Sequence, residues 1–257
     1  MFAIVKYTAA AVFVAALTFA GKAEDASISI VVQEMPGLIE PGAQLPYNRL
    51  LNTLVEGAPM ETRQTILPGY RGVQDWLDHD YDCIFGGVSS PGHKLPPKDT
   101  TITQVDWDTL KISTPFNILR VHVVSMLETP KARSLEIIEN RAVAVDEVLF
   151  LDLLIHTTAT RIANPVKVPT TFRALDLLQS RRVTYALAYD NDIALYRAAQ
   201  PKVQIEYDPD LVVLELEESM MCWPGKGIER FISHTNETLN GLEKSGTLRQ
   251  LTHPSAP

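Results

Sequence analysis

The chain has 257 residues, 46% of them hydrophobic and 21% charged, with 23 Lys and Arg against 31 Asp and Glu. A net charge of −8 repels polyphosphate and anionic lipid, so nucleic acid and acidic membrane surfaces are excluded as partners. The length suits one large domain or two small lobes, each able to bury a core.

The first segment reads as a leader. Lys6 precedes an apolar run from Thr8 to Ala20, and Gly21 and Ala23 are the small residues three and one before a cut. A run this short does not span the hydrocarbon core, which needs about 20 residues. Residues 1–23 are therefore expected to be a signal peptide cleaved after Ala23. Glu24, and not a lipid-bearing cysteine, then starts a periplasmic chain. Loss of Lys6 and Lys22 leaves 21 basic against 31 acidic residues, a net charge of −10.

Ile28 to Val32 is β-rich and ends at Met35-Pro36-Gly37. Pro46 suits the first position of a helix, and Tyr47, Leu50, Leu51, Leu54 and Val55 recur on one helical face. Thr62 to Leu67 predicts a strand, Val73, Trp76 and Leu77 a short helix, and Asp82 to Phe85 a third strand running into Gly86-Gly87. This βαβαβ order predicts a parallel sheet covered by helices. A loop from Ser89 to Asp108 leads to a strand at Leu119 to Ser125.

A second αβ unit follows. Its strands are expected at Arg141 to Val145, Val166 to Val168 and Val183 to Tyr189, and its helices at Glu147 to His156, after a Thr171 cap, and at Ile193 to Ala199. Asp208-Pro209 breaks the pattern before an apolar run at Leu211 to Leu216. Ile228, Phe231, Ile232, Thr235, Leu239 and Leu242 mark a closing helix that Gly246 stops. The expected fold class is α/β, with two lobes and two crossings between them.

Cys83 and Cys222 both lie in apolar surroundings. An exported chain allows a disulfide, and two buried free thiols fit equally well. No nucleophile elbow, phosphate loop or paired histidine at zinc spacing is present. Asp78-His79-Asp80 with Asp82 and Cys83 has metal-ligand chemistry, but it runs from a helix end into a strand that alternates faces, so its members do not converge. No catalysis, metal or cofactor is expected.

Taken in order, these segments resemble an extracytoplasmic solute-binding protein of the polar amino-acid-binding family that serves ABC importers. The resemblance rests on the leader, PYNRLLNTLVEG, VQDWLDHDYDCIFGGVS, TPFNILRVHVV, SLEIIENRAVAV, TTFRALDLLQSRRVTYALAYD and LNGLEKSGTLRQL, and covers most of the mature chain. It implies the type II two-lobed fold, with lobe one at residues 24–117 plus 212–257 and lobe two at 118–211. A ligand is then held between the lobes by hinge closure.

The resemblance also assigns ligand contacts. Lys94 falls where the family grips a carboxylate with arginine, and lysine supplies a point charge in place of a fork. Ser89 and Ser90 fall at hydroxyl and backbone contacts, and Tyr47 and Phe116 where aromatic rings hold the ligand. Asp146 stands at the first turn of lobe two, where the family has an anion-binding Gly and Ser or Thr. There Asp146 and Glu147 would repel a carboxylate. Asp190 matches the acid that receives the ligand ammonium, with Tyr189 or Asn191 one residue away. The implied function is a monomeric receptor that captures a small polar solute and presents it to a membrane permease or sensor. A ligand-free accessory protein of the same fold is the alternative.

Overall fold

The structure, a computed structural model, describes residues 27–91, 107–156 and 162–253. The leader and Lys94 lie outside them. Among the described residues nine strands join in one sheet of order β2-β1-β3-β9-β5-β8-β6-β7, with the short β4 on β9.

In the first half β1 (Ile28–Glu34) pairs in parallel with β2 (Thr62–Pro68) and with β3 (Cys83–Ser89). In the second half β6 (Ala142–Asp146) pairs in parallel with β7 (Asn164–Val168) and β8 (Tyr185–Tyr189). Two antiparallel strands join the halves, β5 (Asn117–Met126) and the 18-residue β9 (Ile205–Cys222). Among the described residues they are the strands shared by both, so the halves form two lobes linked by two crossings.

Each half is buried on both faces, as parallel sheets require. In the first, Ile30, Val32 and Phe85 face the helices α1 (Pro46–Val55), α6 (Ile228–Lys244) and α7 (Thr247–Thr252). Val31 and Ile84 point the other way, to Trp76 of α2 (Arg71–Leu77). In the second, Val143, Val145 and Leu187 meet Leu149 and Leu153 of α3 (Glu147–His156). Ala144, Ala186 and Ala188 meet α4 (Thr171–Gln179) and α5 (Asp190–Ala199). Alternate residues thus feed alternate cores.

Four details differ from the sequence expectation. Thr170, not Thr171, caps α4, its Oγ1 accepting from Arg173 N at 3.2 Å. Asp208-Pro209 does not end the strand. Between His122 and Val124 the partner on β9 moves from Val212 to Tyr207, so the proline, which has no N–H to give, sits in a bulge. A further helix, α7, follows Gly246 and packs on α1 and α6. β4 (Lys111–Ile112) lies within no expected strand. Cys83 and Cys222 face each other on β3 and β9 and form a disulfide, which settles the open choice. Among the described residues no helix is long and apolar enough to cross a membrane.

Candidate functional site

A cavity of about 130 Å³ lies between the two lobes. At roughly 10–15 Å³ per enclosed water, it has room for a solute of about ten non-hydrogen atoms. Its walls come from the C-terminal ends of β1, β3, β6 and β8 and the turns that follow them. Ligands of open parallel sheets gather at such ends, because successive crossovers diverge there and leave a crevice.

Trp76, Phe85, Phe172, Leu151 and Met221 give the cavity apolar surface. Its charged groups, among the described residues, are all acids: Glu34, Asp146, Asp152, Asp192 and Glu218. Each of the last four arrives on a different element. Asp146 ends β6, where its Oδ1 accepts from Leu149 N at 2.8 Å and so caps α3. Its Oδ2 accepts from the Thr171 hydroxyl at 2.7 Å. Asp152, six residues further on in α3, accepts from the Tyr189 hydroxyl at 2.7 Å. Asp192 lies in the first turn of α5, within hydrogen-bonding reach of Thr171. Glu218 stands on β9, where its Oε2 accepts from Tyr47 at 2.6 Å and from Asn117 Nδ2 at 3.1 Å.

Burial raises the proton affinity of Asp146, Asp152, Asp192 and Glu218. Burial, against the pull of the Tyr189 hydroxyl, pushes Asp152 up to about 7. Burial also lifts Asp192 to about 7, helped by the charges of Asp146, Glu218 and Asp190. Glu218 reaches about 7 through desolvation, although Tyr47 and Asn117 favour its ionised form. Asp146 is raised by burial too, its hydrogen bonds opposing the shift. The hydroxyls of Tyr47 and Tyr189 are pushed well up by burial and the adjacent carboxylates. Carboxyls crowded in low dielectric cannot all ionise without a cation.

Of the residues singled out from the sequence, Tyr47 and Asp146 line this cavity. Phe116 stands behind the wall, stacked on Phe85 at 5.0 Å, with Tyr47 edge-on to both rings. Ser89 is fully buried, and neither it nor Ser90 lines the cavity. Asp190 accepts from Arg120 N and Asn191 N and lies off the wall, whereas Tyr189, Asn191 and Asp192 are on it. Sequence reasoning missed Asp152, Asp192 and Glu218. Two signals pointed to them. Asp152 is the one acid inside the apolar run of α3, and Glu218 shares a strand face with the buried Met220 and Cys222.

The two lobes touch around the rim. Asn191 Nδ2 donates to Thr252 O at 3.2 Å, Gly37 abuts Leu195, and Gly69 abuts the Pro169 carbonyl. Among the described residues no group of three or more His, Cys, Asp or Glu is placed to hold a metal ion.

No protein-family model and no curated protein matches this chain. Solved structures do. The GluR0 ligand-binding core of Nostoc punctiforme, in complex with L-glutamate, superposes with a TM-score of 0.65 at 12% identity, over 87% of this chain and 96% of that one. A histidine kinase sensor domain with similarity to periplasmic binding proteins gives 0.68 at 14%, over 88% and 94%. The amino-acid ABC transporter substrate-binding protein AbpA of Streptococcus pneumoniae, bound to L-arginine, gives 0.63 at 11%, over 88% and 92%. With two parallel half-sheets, two crossings and a cavity between them, the chain has the two-lobed type II periplasmic-binding-protein fold.

Proposed function

We propose that this chain is an exported solute-binding protein. It captures a small polar solute in the interlobe cavity, without chemical change, and presents it to a membrane transporter or sensor. The observation that carries the reading is the cavity itself, walled by both lobes at the strand ends and mixing apolar faces with convergent polar groups. Structures of the same fold hold L-glutamate or L-arginine, and one is a kinase sensor domain. Lobe one is residues 24–117 with 212–257, and lobe two is 118–211. Tyr47 and Asp146 contact the solute together with Asp152, Asp192 and Glu218. Ser89, Ser90, Phe116 and Asp190 belong to the surroundings that shape the site.

The mature chain, recovered from a periplasmic extract with Glu24 at its N-terminus, should be stabilised by its solute. At 100 times the dissociation constant the gain is about 2.7 kcal/mol. Closure should also reduce the radius of gyration in solution scattering. A library of amino acids, amines, sugars and carboxylates that leaves both Tm and radius unchanged would favour the accessory-protein alternative.

A further inference from the structure

The cavity wall carries five carboxyl groups and, among the described residues, no lysine, arginine or histidine. The acids come from β1, β6, α3, α5 and β9, so no single helix or loop accounts for their meeting. Glu218 and Asp152 are 2% and 6% exposed. Their hydrogen bonds fall on Oε2 and Oδ2, and among the described residues no donor reaches the other oxygen of either. The Thr171 hydroxyl donates to Asp146 and stands close to Asp192 as well, so two of the acids share one donor. The wall is rich in carboxyls and short of cations.

Anions meet the opposite situation. Helix N-termini bind carboxylates through free backbone N–H groups. At each helix start on this cleft one of those groups is already taken by the chain's own side chain, and at two of the three starts that side chain is a carboxylate. Asp146 accepts Leu149 N at the start of α3, and Thr170 accepts Arg173 N at the start of α4. Asp190 accepts Asn191 N at the start of α5.

We propose, resting on the solute-binding reading above, that the cavity selects an organic amine: a primary ammonium on a small apolar body, with no carboxylate, seated against the acids of the wall. The apolar body lies against Trp76, Phe85 and Phe172. A metal ion does not fit, since the acids are not grouped to chelate one. The ammonium takes the place of the bound protons, which leave to the buffer as the carboxyls ionise. Burial supports this exchange by holding Asp152, Asp192 and Glu218 near pH 7. The other charged groups facing the cleft are Glu34 on β1, Asp146 on β6, Glu147 on α3, and Arg71 on α2, which is paired with Asp75 at the rim.

Matched pairs test it on the mature chain: 2-phenylethylamine against phenylalanine, and 3-methylbutylamine against leucine, which differ in the carboxylate alone. The amine of each pair is expected to bind at least about ten-fold tighter by calorimetry, the scale of one charge-assisted contact. Its affinity should rise from pH 6 to pH 8, with protons released in buffers of different ionisation enthalpy. Asp192→Asn should weaken the amine about ten-fold or more, and Lys244→Ala, at the exposed end of α6, should leave it unchanged. Tighter binding of the amino acids, or proton uptake, overturns the amine assignment and leaves the solute-binding reading standing. If the amines fail and no other solute in the library stabilises the chain, both fall.

Discussion

Glu218 shows how one side chain ties the cavity to the joint between the lobes. It sits on the strand that crosses between them, bonded to Tyr47 from α1 and Asn117 from the other crossing strand. Its ionisation is costly because burial removes water and only two donors replace it. The same is true of Asp152 and Asp192, and it has a consequence for folding. With folded values near 7, above the ordinary carboxylate range, these acids bind more protons in the folded chain than in the unfolded one between about pH 4 and pH 7. Stability therefore falls as pH rises through that window, by up to about 1.4 kcal/mol per unit for each group. The ligand-free protein should melt higher at pH 5 than at pH 8. The triple variant Asp152→Asn, Asp192→Asn, Glu218→Gln should flatten that slope. Equal slopes in urea titrations of both proteins would show that the acids are not held protonated.

At the scale of elements, β3 is bent to make room for the site. Phe85 faces Met220 and Gly87 faces Ser219, which leaves Gly86 as an extra residue with φ +81°. A side chain there would be strained, and its Cβ would stand 3.1 Å from Glu218 Oε1. Gly42 has a similar φ of +72° but open space around it. Gly86→Ala should therefore destabilise the protein by more than the roughly 1 kcal/mol expected of strain alone, while Gly42→Ala should cost only that. Chemical denaturation of the two variants isolates the contact. Matching losses would mean that Gly86 serves the backbone alone.

The offset between Asp190 and Asp192 belongs to this scale too. The tail of YALAY fixes where β8 ends, and α5 starts at once with Asp190. Each helical residue turns by about 100°, so two residues reverse the direction of the side chain. A pattern read from sequence places the acidic turn, but it cannot say which acid looks inward until the helix is docked on the sheet.

For the whole molecule, the Cys83–Cys222 disulfide closes a loop with a sequence separation of 139 residues that contains all of lobe two. In the chain-entropy account, restricting so long a loop in the unfolded state contributes about 2–5 kcal/mol. Cys83→Ala with Cys222→Ala should lower stability by that order and leave ligand affinity within about two-fold, since neither sulfur lines the cavity. Denaturant midpoints and calorimetry on the double variant check both halves. A large loss of affinity at unchanged stability would mean that the bridge governs lobe closure.

By itself the sequence determined the two αβ units, because apolar positions at period 2 and near 3.6 are a local record of which faces are covered. It also determined the closing amphipathic helix, whose apolar stripe recurs at helical spacing. Tyr47 and Asp146, which the resemblance singled out, line the cavity. Only the tertiary structure decided the rest. It joined β5 to β9 across both lobes, paired the cysteines, and carried the Asp208-Pro209 break through as a bulge. It also brought Asp152, Asp192 and Glu218 together from α3, α5 and β9. No periodicity encodes that meeting. The desolvation that makes the three acids keep their protons exists only once distant elements have closed water out around them.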